Sequence, residues 1–175
     1  MAGDKGLAAK ARRVLRATLR KRRDARKLFA DVAEMRRLMA AEREPAHAFD
    51  AKLADGGQVD VEFIAQTLVL AHAQERAALL ETSTLGALTR LCEAGFLPPQ
   101  ALQELGDALR LFTLITQLAR LALRPPFDVD AAAEGVRRRI ALACAAPTLA
   151  GVKDALSEAK ATVRHWRAAL LGFAL

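Results

Sequence analysis

The chain has 175 residues, 53% of them apolar and 5% aromatic, which is enough apolar material for the core of one domain. Cys92 and Cys144 have no Cys or His at metal-ligand spacing, and no run of about 18 apolar residues occurs, so the sequence excludes a zinc-finger protein and a membrane-spanning helix. Charges are spread through the first 44 residues without the apolar stretch of a secretory signal, so we expect a protein of the reducing cytoplasm.

The positive charge is concentrated in the first quarter of the sequence. The net charge is +7, but residues 1–44 hold 14 Lys/Arg against six Asp/Glu, whereas residues 45–175 hold 13 against 14. Such asymmetry is typical of an arm that binds nucleic acid or a membrane, and also of a helical face that meets an acidic neighbour. We therefore divide the chain into a basic helical pair, 1–44, and a helical bundle domain, 45–175.

Ala, Leu and Arg dominate the sequence, and these residues favour helices. Apolar positions recur at helical spacing in seven segments, so the sequence predicts an all-α fold, a bundle of about seven helices with one long Gly-containing loop. The predicted helices cover 5–21, 25–43, 61–73, 84–94, 99–123, 128 or 130 to 145, and 150–171.

Capping residues and prolines mark the ends of these helices, since a short polar side chain can accept the first free N–H groups and proline cannot continue a helix. The expected caps are Asp24, Asp60, and Ser83 or Thr84, and the expected stops are Pro45 and Pro125-Pro126.

Each predicted helix has an apolar face, and the third helix is apolar nearly all round, so we expect it to be central and buried. The residues expected to face the core are Leu7, Ala11, Val14, Leu15 and Leu19 in the first helix, Leu28, Val32, Met35, Leu38 and Met39 in the second, Leu102, Leu105, Leu109, Phe112 and Ile115 in the fifth, and Val152, Leu156, Ala159, Val163, Trp166 and Leu170 in the last.

The segment 44–59 is the long irregular stretch, and it contains Lys52 followed by Gly56 and Gly57. The order of these residues matches neither the Walker loop nor the GxGxxG loop. Two interpretations stay open. In the first, the glycines make a turn of positive φ and Asp60 caps the next helix. In the second, backbone N–H groups and Lys52 lie near a nucleotide phosphate.

Asp60 and Glu62 are the candidates for paired carboxylates. On a strand they would share one face and could bind a metal ion, but on a helix residues two apart point in different directions. Because a helix is predicted, we expect Asp60 to cap it and Glu62 to interact with the positive end of the helix dipole. We therefore expect neither Asp60 nor Glu62 to act as a catalytic carboxylate or as a metal ligand.

The remaining polar residues give weaker signals. His72 and His165 have no acid or nucleophile at a characteristic spacing. The basic run RATLRKRRDARK could contact phosphates, but no Tyr or Trp interleaves it for stacking on bases. The first helix has no Phe or Trp that would anchor it in a membrane. A basic helical nucleic-acid-binding protein stays an alternative, although we expect neither nucleic acid nor a membrane as the partner.

The segment FDAKLADGGQVDVEFIAQTLVLAHA resembles a motif of the bifunctional glutamine synthetase adenylyltransferase/adenylyl-removing enzymes. The segments DVAEMRRLM before it and VRHWRAALLG near the end are also similar to that family, so the resemblance covers nearly the whole chain. The matching motif positions are Phe49, Asp50, Lys52, Gly56, Gly57, Asp60, Val61, Glu62, Phe63, Gln66, Leu68 and Leu70.

The resemblance implies a helical region that follows a nucleotidyltransferase core. In this family one core transfers AMP from ATP to a tyrosine of glutamine synthetase, a second core removes it, and glutamine and the PII signalling protein set the balance. Val59 before Asp60 and the lead-in through Phe49 resemble the C-terminal, adenylylating half. The family's metal-binding patterns GSxxxxxSDxD and VDxRLRP are absent here, so we expect this chain alone to be inactive.

The same resemblance implies the site and its partners. The motif residues expected to face the nucleotidyltransferase core are Asp50, Lys52, Gly56, Gly57, Asp60, Glu62 and Gln66. Mg²⁺ and ATP are implied for the whole enzyme, and neither is expected to bind to this chain. The expected partners are the chain's own upstream nucleotidyltransferase domain, glutamine synthetase and the PII signalling protein. The alternative within this resemblance is a non-catalytic module that binds PII or glutamine synthetase.

Overall fold

A computed structural model describes residues 4–42, 48–124 and 128–173, and within these ranges the chain contains helices and loops but no strand. The helices are α1 (Lys5–Leu19), α2 (Ala25–Ala41), α3 (Gln58–His72), α4 (Thr84–Glu93), α5 (Pro99–Ala122), α6 (Glu134–Ala143) and α7 (Leu149–Leu171), with a 3-10 turn at Ala77–Leu79. The predicted all-α fold is confirmed. The prolines expected to stop two helices, Pro45, Pro125 and Pro126, lie outside the described residues.

Helix α3 lies at the centre of the bundle, where it packs against α2, α4, α5 and α7. Its side chains are apolar on nearly every side, and Val61 and Ile64 are fully buried. A helix with this pattern has no polar face to present to water, so burial on several sides is its stable arrangement. The prediction of a central third helix is confirmed.

Helices α5 and α7 pack against each other and close the core beside α3. Phe112 of α5 and Val163 of α7 are fully buried, and the predicted inward faces of both helices are confirmed. At the edge of this contact the indole N–H of Trp166 donates to the carboxylate of Glu104 at 2.7 Å. The ring is therefore buried while its polar edge keeps a partner.

Side-chain caps begin two helices, α2 and α4, at the predicted positions. The carboxylate of Asp24 accepts from the backbone N–H of Lys27 at 2.9 Å, and Ser83 rather than Thr84 caps α4 by accepting from Gly86 at 3.0 Å. These bonds satisfy N–H groups that the helix itself leaves free. At the other end of α1, the guanidinium of Arg23 donates to the carbonyl of Leu19 at 2.8 Å, and this contact helps to end the helix earlier than predicted.

Helix α6 begins later than the sequence predicted. It starts at Glu134 and not at Asp128 or Asp130. The carboxylate of Asp128 accepts from the backbone N–H of Asp130 at 2.9 Å. This short-range bond makes a turn, and it is one of the contacts by which Asp competes with helix formation.

The apolar faces predicted for α1 and for part of α2 are exposed. Leu7 and Leu15 are 69% and 60% exposed, Met35 and Leu38 are 54% and 56% exposed, and α1 buries no residue. Helix α2 instead buries Ala33 and Arg36, because Arg36 pairs with an acid inside the bundle. None of the helices in the described ranges is long and apolar enough to cross a membrane.

Candidate functional site

Residues 48–57 close into a small loop before the first turn of α3. The carboxylate of Asp50 accepts from the N–H groups of Lys52 and Leu53, both at 3.0 Å. The N–H of Gly57 donates to the carbonyl of Ala54 at 2.8 Å. Asp50 is thus a turn-forming residue, and the loop has a backbone shape that does not depend on a ligand.

Gly56 allows this loop to contact α7 closely. Its φ is +79°, as the predicted turn of positive φ requires. A Cβ atom at this position would overlap the carbonyl oxygen of Lys160 on α7. A Cβ atom on Gly57 would lie 2.9 Å from the carbonyl oxygens of Ala51 and Ala54. Both glycines are therefore needed for backbone packing, and any residue with a Cβ atom at either position would displace the loop.

Asp60 is not the N-cap of α3, so that prediction is wrong. The N-cap is Gly57, which makes no side-chain cap, and Asp60 lies in the first turn with a fully buried side chain. Its Oδ2 accepts from the N–H of Gly56 at 2.7 Å. The carboxylate therefore faces into the protein and back to the loop, and it satisfies an N–H ahead of the helix.

Two buried arginines pair with Asp60. Nε of Arg36 on α2 lies 2.7 Å from Oδ1, and Nη1 of Arg167 on α7 lies 3.1 Å from Oδ2. The two arginines are 2% and 1% exposed. Arg36 also donates to the carbonyl of Leu53 in the loop at 3.3 Å. We call Arg36, Asp60 and Arg167 the buried ion cluster, and it joins α2, the loop, α3 and α7.

The loop makes further polar contacts with α7. Nη1 of Arg167 lies 2.8 Å from the carboxylate of Asp55, and Arg164 donates to the backbone carbonyl of Asp55 at 3.1 Å. The ammonium of Lys160 lies 3.5 Å from the carbonyl of Ala48, and burial lowers the pKa of this lysine. These contacts fix the loop against α7 along most of its length.

The N–H groups of the glycine pair are already bonded within the protein. Gly56 donates to Asp60, Gly57 donates to Ala54, and the next N–H, that of Gln58, donates to the carbonyl of Ala51 at 2.8 Å. A phosphate nest needs free backbone donors. The glycine pair therefore does not form the phosphate site that was the second interpretation of this segment.

Three of the motif residues, Lys52, Glu62 and Gln66, line one groove together with Arg120 of α5. The groove has a volume of about 510 Å³. Glu62 accepts from the side chain of Gln58 at 3.0 Å. The groove is also lined by the apolar side chains of Met39, Leu53, Val59 and Phe63.

The seven motif residues that were expected to face the nucleotidyltransferase core thus separate into two groups. Asp50, Gly56, Gly57 and Asp60 shape and hold the loop, whereas Lys52, Glu62 and Gln66 line the groove. The carboxylates of Asp60 and Glu62 have different partners and do not converge on one point. Within residues 4–42, 48–124 and 128–173, no group of three His, Cys, Asp or Glu could hold a metal ion.

Sequence reasoning missed Arg36, Arg167 and Arg120. Arg167 lies four residues after Val163 on the inward stripe of α7, and Arg36 lies three residues after the buried Ala33 of α2. A charge at a core position of an amphipathic helix is a signal for a buried pair, so both could have been found. No comparable signal marks Arg120, which is an exposed residue of α5.

Comparison with known proteins places this arrangement in a family. Residues 26–170 match the family model described as GlnD PII-uridylyltransferase. The chain is also similar to proteins named bifunctional glutamine synthetase adenylyltransferase/adenylyl-removing enzyme. It is 37% identical over 91% of its length to the protein from Rhodopseudomonas palustris, 36% over 90% to that from Bradyrhizobium diazoefficiens, and 35% over 94% to that from Xanthobacter autotrophicus.

The chain spans only 16% to 17% of the length of these three relatives. The matched region includes α2, the loop, the groove and the buried ion cluster. The resemblance drawn from the loop motif is confirmed. The chain belongs to the GlnD PII-uridylyltransferase family and is homologous to a segment of the bifunctional glutamine synthetase adenylyltransferase/adenylyl-removing enzymes.

Proposed function

We propose that this chain is the C-terminal helical domain of an enzyme that transfers AMP from ATP to a tyrosine of glutamine synthetase, without the catalytic core itself. One observation supports this best. Lys52, Glu62 and Gln66, which the family resemblance singles out, share a groove next to a loop that the buried ion cluster holds in place. The groove is the surface that faces the nucleotidyltransferase core, and Lys52 lies near the core's cleft.

The division of chemical work follows from the residues present. The metal-binding patterns of the family's core are absent from this sequence, so the core supplies the carboxylates that hold Mg²⁺ and ATP. This chain supplies the positive charge of Lys52, carried on a backbone that the loop holds in place, at the edge of the cleft. A cation beside the phosphate oxygens stabilises the negative charge that develops on them.

The names of the similar proteins describe two nucleotidyl transfers. The family model is described by uridylyl transfer to PII, whereas the relatives from three bacterial genera are named for adenylyl transfer to glutamine synthetase. Identities of 35% to 37% over 90% or more of the chain favour the adenylyl reaction. Glutamine synthetase is therefore the proposed target.

The test is AMP transfer to glutamine synthetase, measured by intact mass with Mg-ATP. The separately produced upstream core is assayed alone, with this chain, and with the variants Lys52→Ala and Lys27→Ala. We expect the chain to increase transfer, Lys52→Ala to lower that gain about tenfold or more, and Lys27→Ala to leave it unchanged. Lys27 is an exposed lysine of α2 that does not line the groove, so it controls for lost charge.

Two results would contradict the proposal. If the core alone transfers AMP at the same rate as the mixture, the helical domain has no part in the reaction. If this chain alone adds AMP, the reacting groups lie within it, and the assignment of the catalytic carboxylates to the core is wrong.

A second candidate function is a non-catalytic module that binds PII or glutamine synthetase. The observation that favours it is the exposed apolar stripe of α1, where Leu7, Val14 and Leu15 are 59% to 69% exposed. Fluorescence anisotropy of labelled PII and of labelled glutamine synthetase, titrated with this chain, tests this function. Leu15→Glu should abolish binding if the stripe is the interface, and unchanged binding would exclude the stripe.

A further inference from the structure

We infer that the groove lined by Lys52 and Arg120 binds an oligophosphate, either the phosphate chain of a nucleotide or a free oligophosphate. This inference rests on the proposed function, since it names the ligand chemistry of the same groove, and it departs from the expectation drawn from the sequence that ATP does not bind to this chain. The glycine pair has no free donor for such a ligand, so the positive side chains carry the site.

The charges in the groove are the main observation. Lys52 comes from the loop and Arg120 from α5, both are exposed, and neither lies within 4.0 Å of a carboxylate in the described part of the chain. By contrast, Arg110 on the same helix pairs with Asp107 at 2.6 Å. Two cations that line one groove without a carboxylate partner favour the binding of an anion there.

The groove also contains one carboxylate, which gives the inference a second test. Glu62 accepts from the side chain of Gln58 at 3.0 Å, and it forms no ion pair with Lys52 or Arg120 in the described part of the chain. Its negative charge opposes a bound phosphate. Replacing Glu62 by Gln removes this charge and keeps a side chain of the same shape, so it should tighten phosphate binding.

The size and lining of the groove suit a phosphorylated small molecule. A volume of about 510 Å³ is within the usual range of small-ligand sites. The guanidinium of Arg120 can donate two parallel hydrogen bonds to one phosphate, and the amide of Gln66 can donate another. Phe63 and Met39 provide an apolar surface for a less polar part of the ligand.

The backbone that carries Lys52 is fixed before any ligand arrives. Its N–H donates to the carboxylate of Asp50 at 3.0 Å, and its carbonyl accepts from the N–H of Val59 at 3.1 Å. Only the lysine side chain must then be ordered on binding. A site with a fixed backbone loses less conformational entropy on binding than a flexible loop would.

The experiment is isothermal titration calorimetry on the 175-residue chain with three compounds: tripolyphosphate, ATP and adenosine. We expect tripolyphosphate and ATP to bind and adenosine not to bind. Lys52→Ala and Arg120→Ala should each weaken binding about tenfold, the usual effect of losing one charge-assisted hydrogen bond. Glu62→Gln should tighten it, and Arg110→Ala is the matched control that should leave it unchanged.

The compounds also separate the two sources of the phosphate chain. Equal affinity for ATP and tripolyphosphate would identify a site for the phosphate chain alone. Tighter binding of ATP would identify a nucleotide site in which Phe63 contacts the adenine base. Binding of adenosine alone, binding of neither phosphate compound, or an equal loss in the Arg110 and Arg120 variants would overturn the inference.

The calorimetry and the transfer assay fail independently. If the chain binds no oligophosphate but still increases AMP transfer by the core, this inference is wrong and the proposed function stands. If the chain binds tripolyphosphate as expected but does not increase AMP transfer by the core, the proposed function is wrong. The anion site then exists but has a role other than AMP transfer.

Discussion

Nε of Arg36 lies 2.7 Å from the carboxylate of Asp60, and the two side chains are 2% and 0% exposed. A salt bridge so fully removed from water stabilises a protein only while both partners are present, because each ion alone is poorly solvated there. The pair joins α2 to the first turn of α3, directly behind the loop that carries Lys52. The position of this loop therefore depends on a charge contact inside the bundle.

Asp60→Asn should destabilise the protein strongly. Arg36 and Arg167 would both lose their buried counter-charge, and we expect the free energy of unfolding to fall by about 3–5 kcal/mol. Urea unfolding followed by circular dichroism measures this. Glu62 lies two residues further on and is partly exposed, so Glu62→Gln is the control. It should change the free energy of unfolding by less than about 0.5 kcal/mol. Little or no loss for Asp60→Asn would instead indicate an ordinary helix cap, because Asn caps a helix as well as Asp does.

A double-mutant cycle tests whether Arg36 and Asp60 act as one unit. We expect Arg36→Ala and Asp60→Ala to be costly separately, and the double variant to lose less than the sum, since the second change removes a charge that the first left unpaired. The expected interaction energy is about 1–3 kcal/mol. Additive losses in urea unfolding would show that the pair is not coupled.

Gly56→Ala should cost more than Gly95→Ala, although both glycines have positive φ, +79° and +81°. Gly95 has open space around its Cα, so alanine there meets only backbone strain of about 1–2 kcal/mol. At Gly56 the new methyl group would also overlap the backbone of Lys160 on α7, which brings the expected total to about 3 kcal/mol or more. Thermal and urea unfolding of the two variants make the comparison, and equal losses would contradict the close approach of loop and α7.

The fluorescence of Trp166 should report the titration of Glu104. Gln100 and the Trp166 indole both donate to this carboxylate, at 2.9 and 2.7 Å, and these bonds hold the pKa of Glu104 below its ordinary value of 4.5. A carboxylate with a lowered folded-state pKa favours folding above the unfolded value, and this contribution is lost as the pH falls through the lowered pKa.

Trp166 is the single tryptophan of the chain, so a fluorescence step below pH 4.5 can be assigned to its surroundings. Glu104→Gln keeps an oxygen that accepts from the indole but does not titrate, so the step should disappear. An unchanged step in this variant would assign the signal to another group or to unfolding.

The exposed stripe of α1 should contribute little to the stability of the bundle. Leu7 is 69% exposed, and Leu7→Ser should change the free energy of unfolding by less than about 0.5 kcal/mol. Leu105→Ala, at a fully buried position of α5, should cost about 2–5 kcal/mol through lost contacts and a cavity. A large loss for Leu7→Ser would mean that α1 packs on the bundle in solution.

Much of the fold could be predicted from the sequence because helix formation depends on residues three and four apart. The periodic apolar positions predict seven helices, the inward faces of α5 and α7, and the central place of α3, and the described residues confirm all three. Caps such as Asp24 and Ser83 act within one turn, so they were predictable too. The family motif also identified the loop, since it is a run of neighbouring residues.

The sequence by itself did not indicate which side chains meet across the bundle. The local position of Asp60 predicts a helix cap, yet its partners are Arg36 on α2 and Arg167 on α7. The tertiary structure alone decided this, and it alone brought Arg120 to the groove of Lys52. A buried charge must find its counter-charge wherever packing places one, so its role depends on the packing of distant helices and not on its neighbours in the chain.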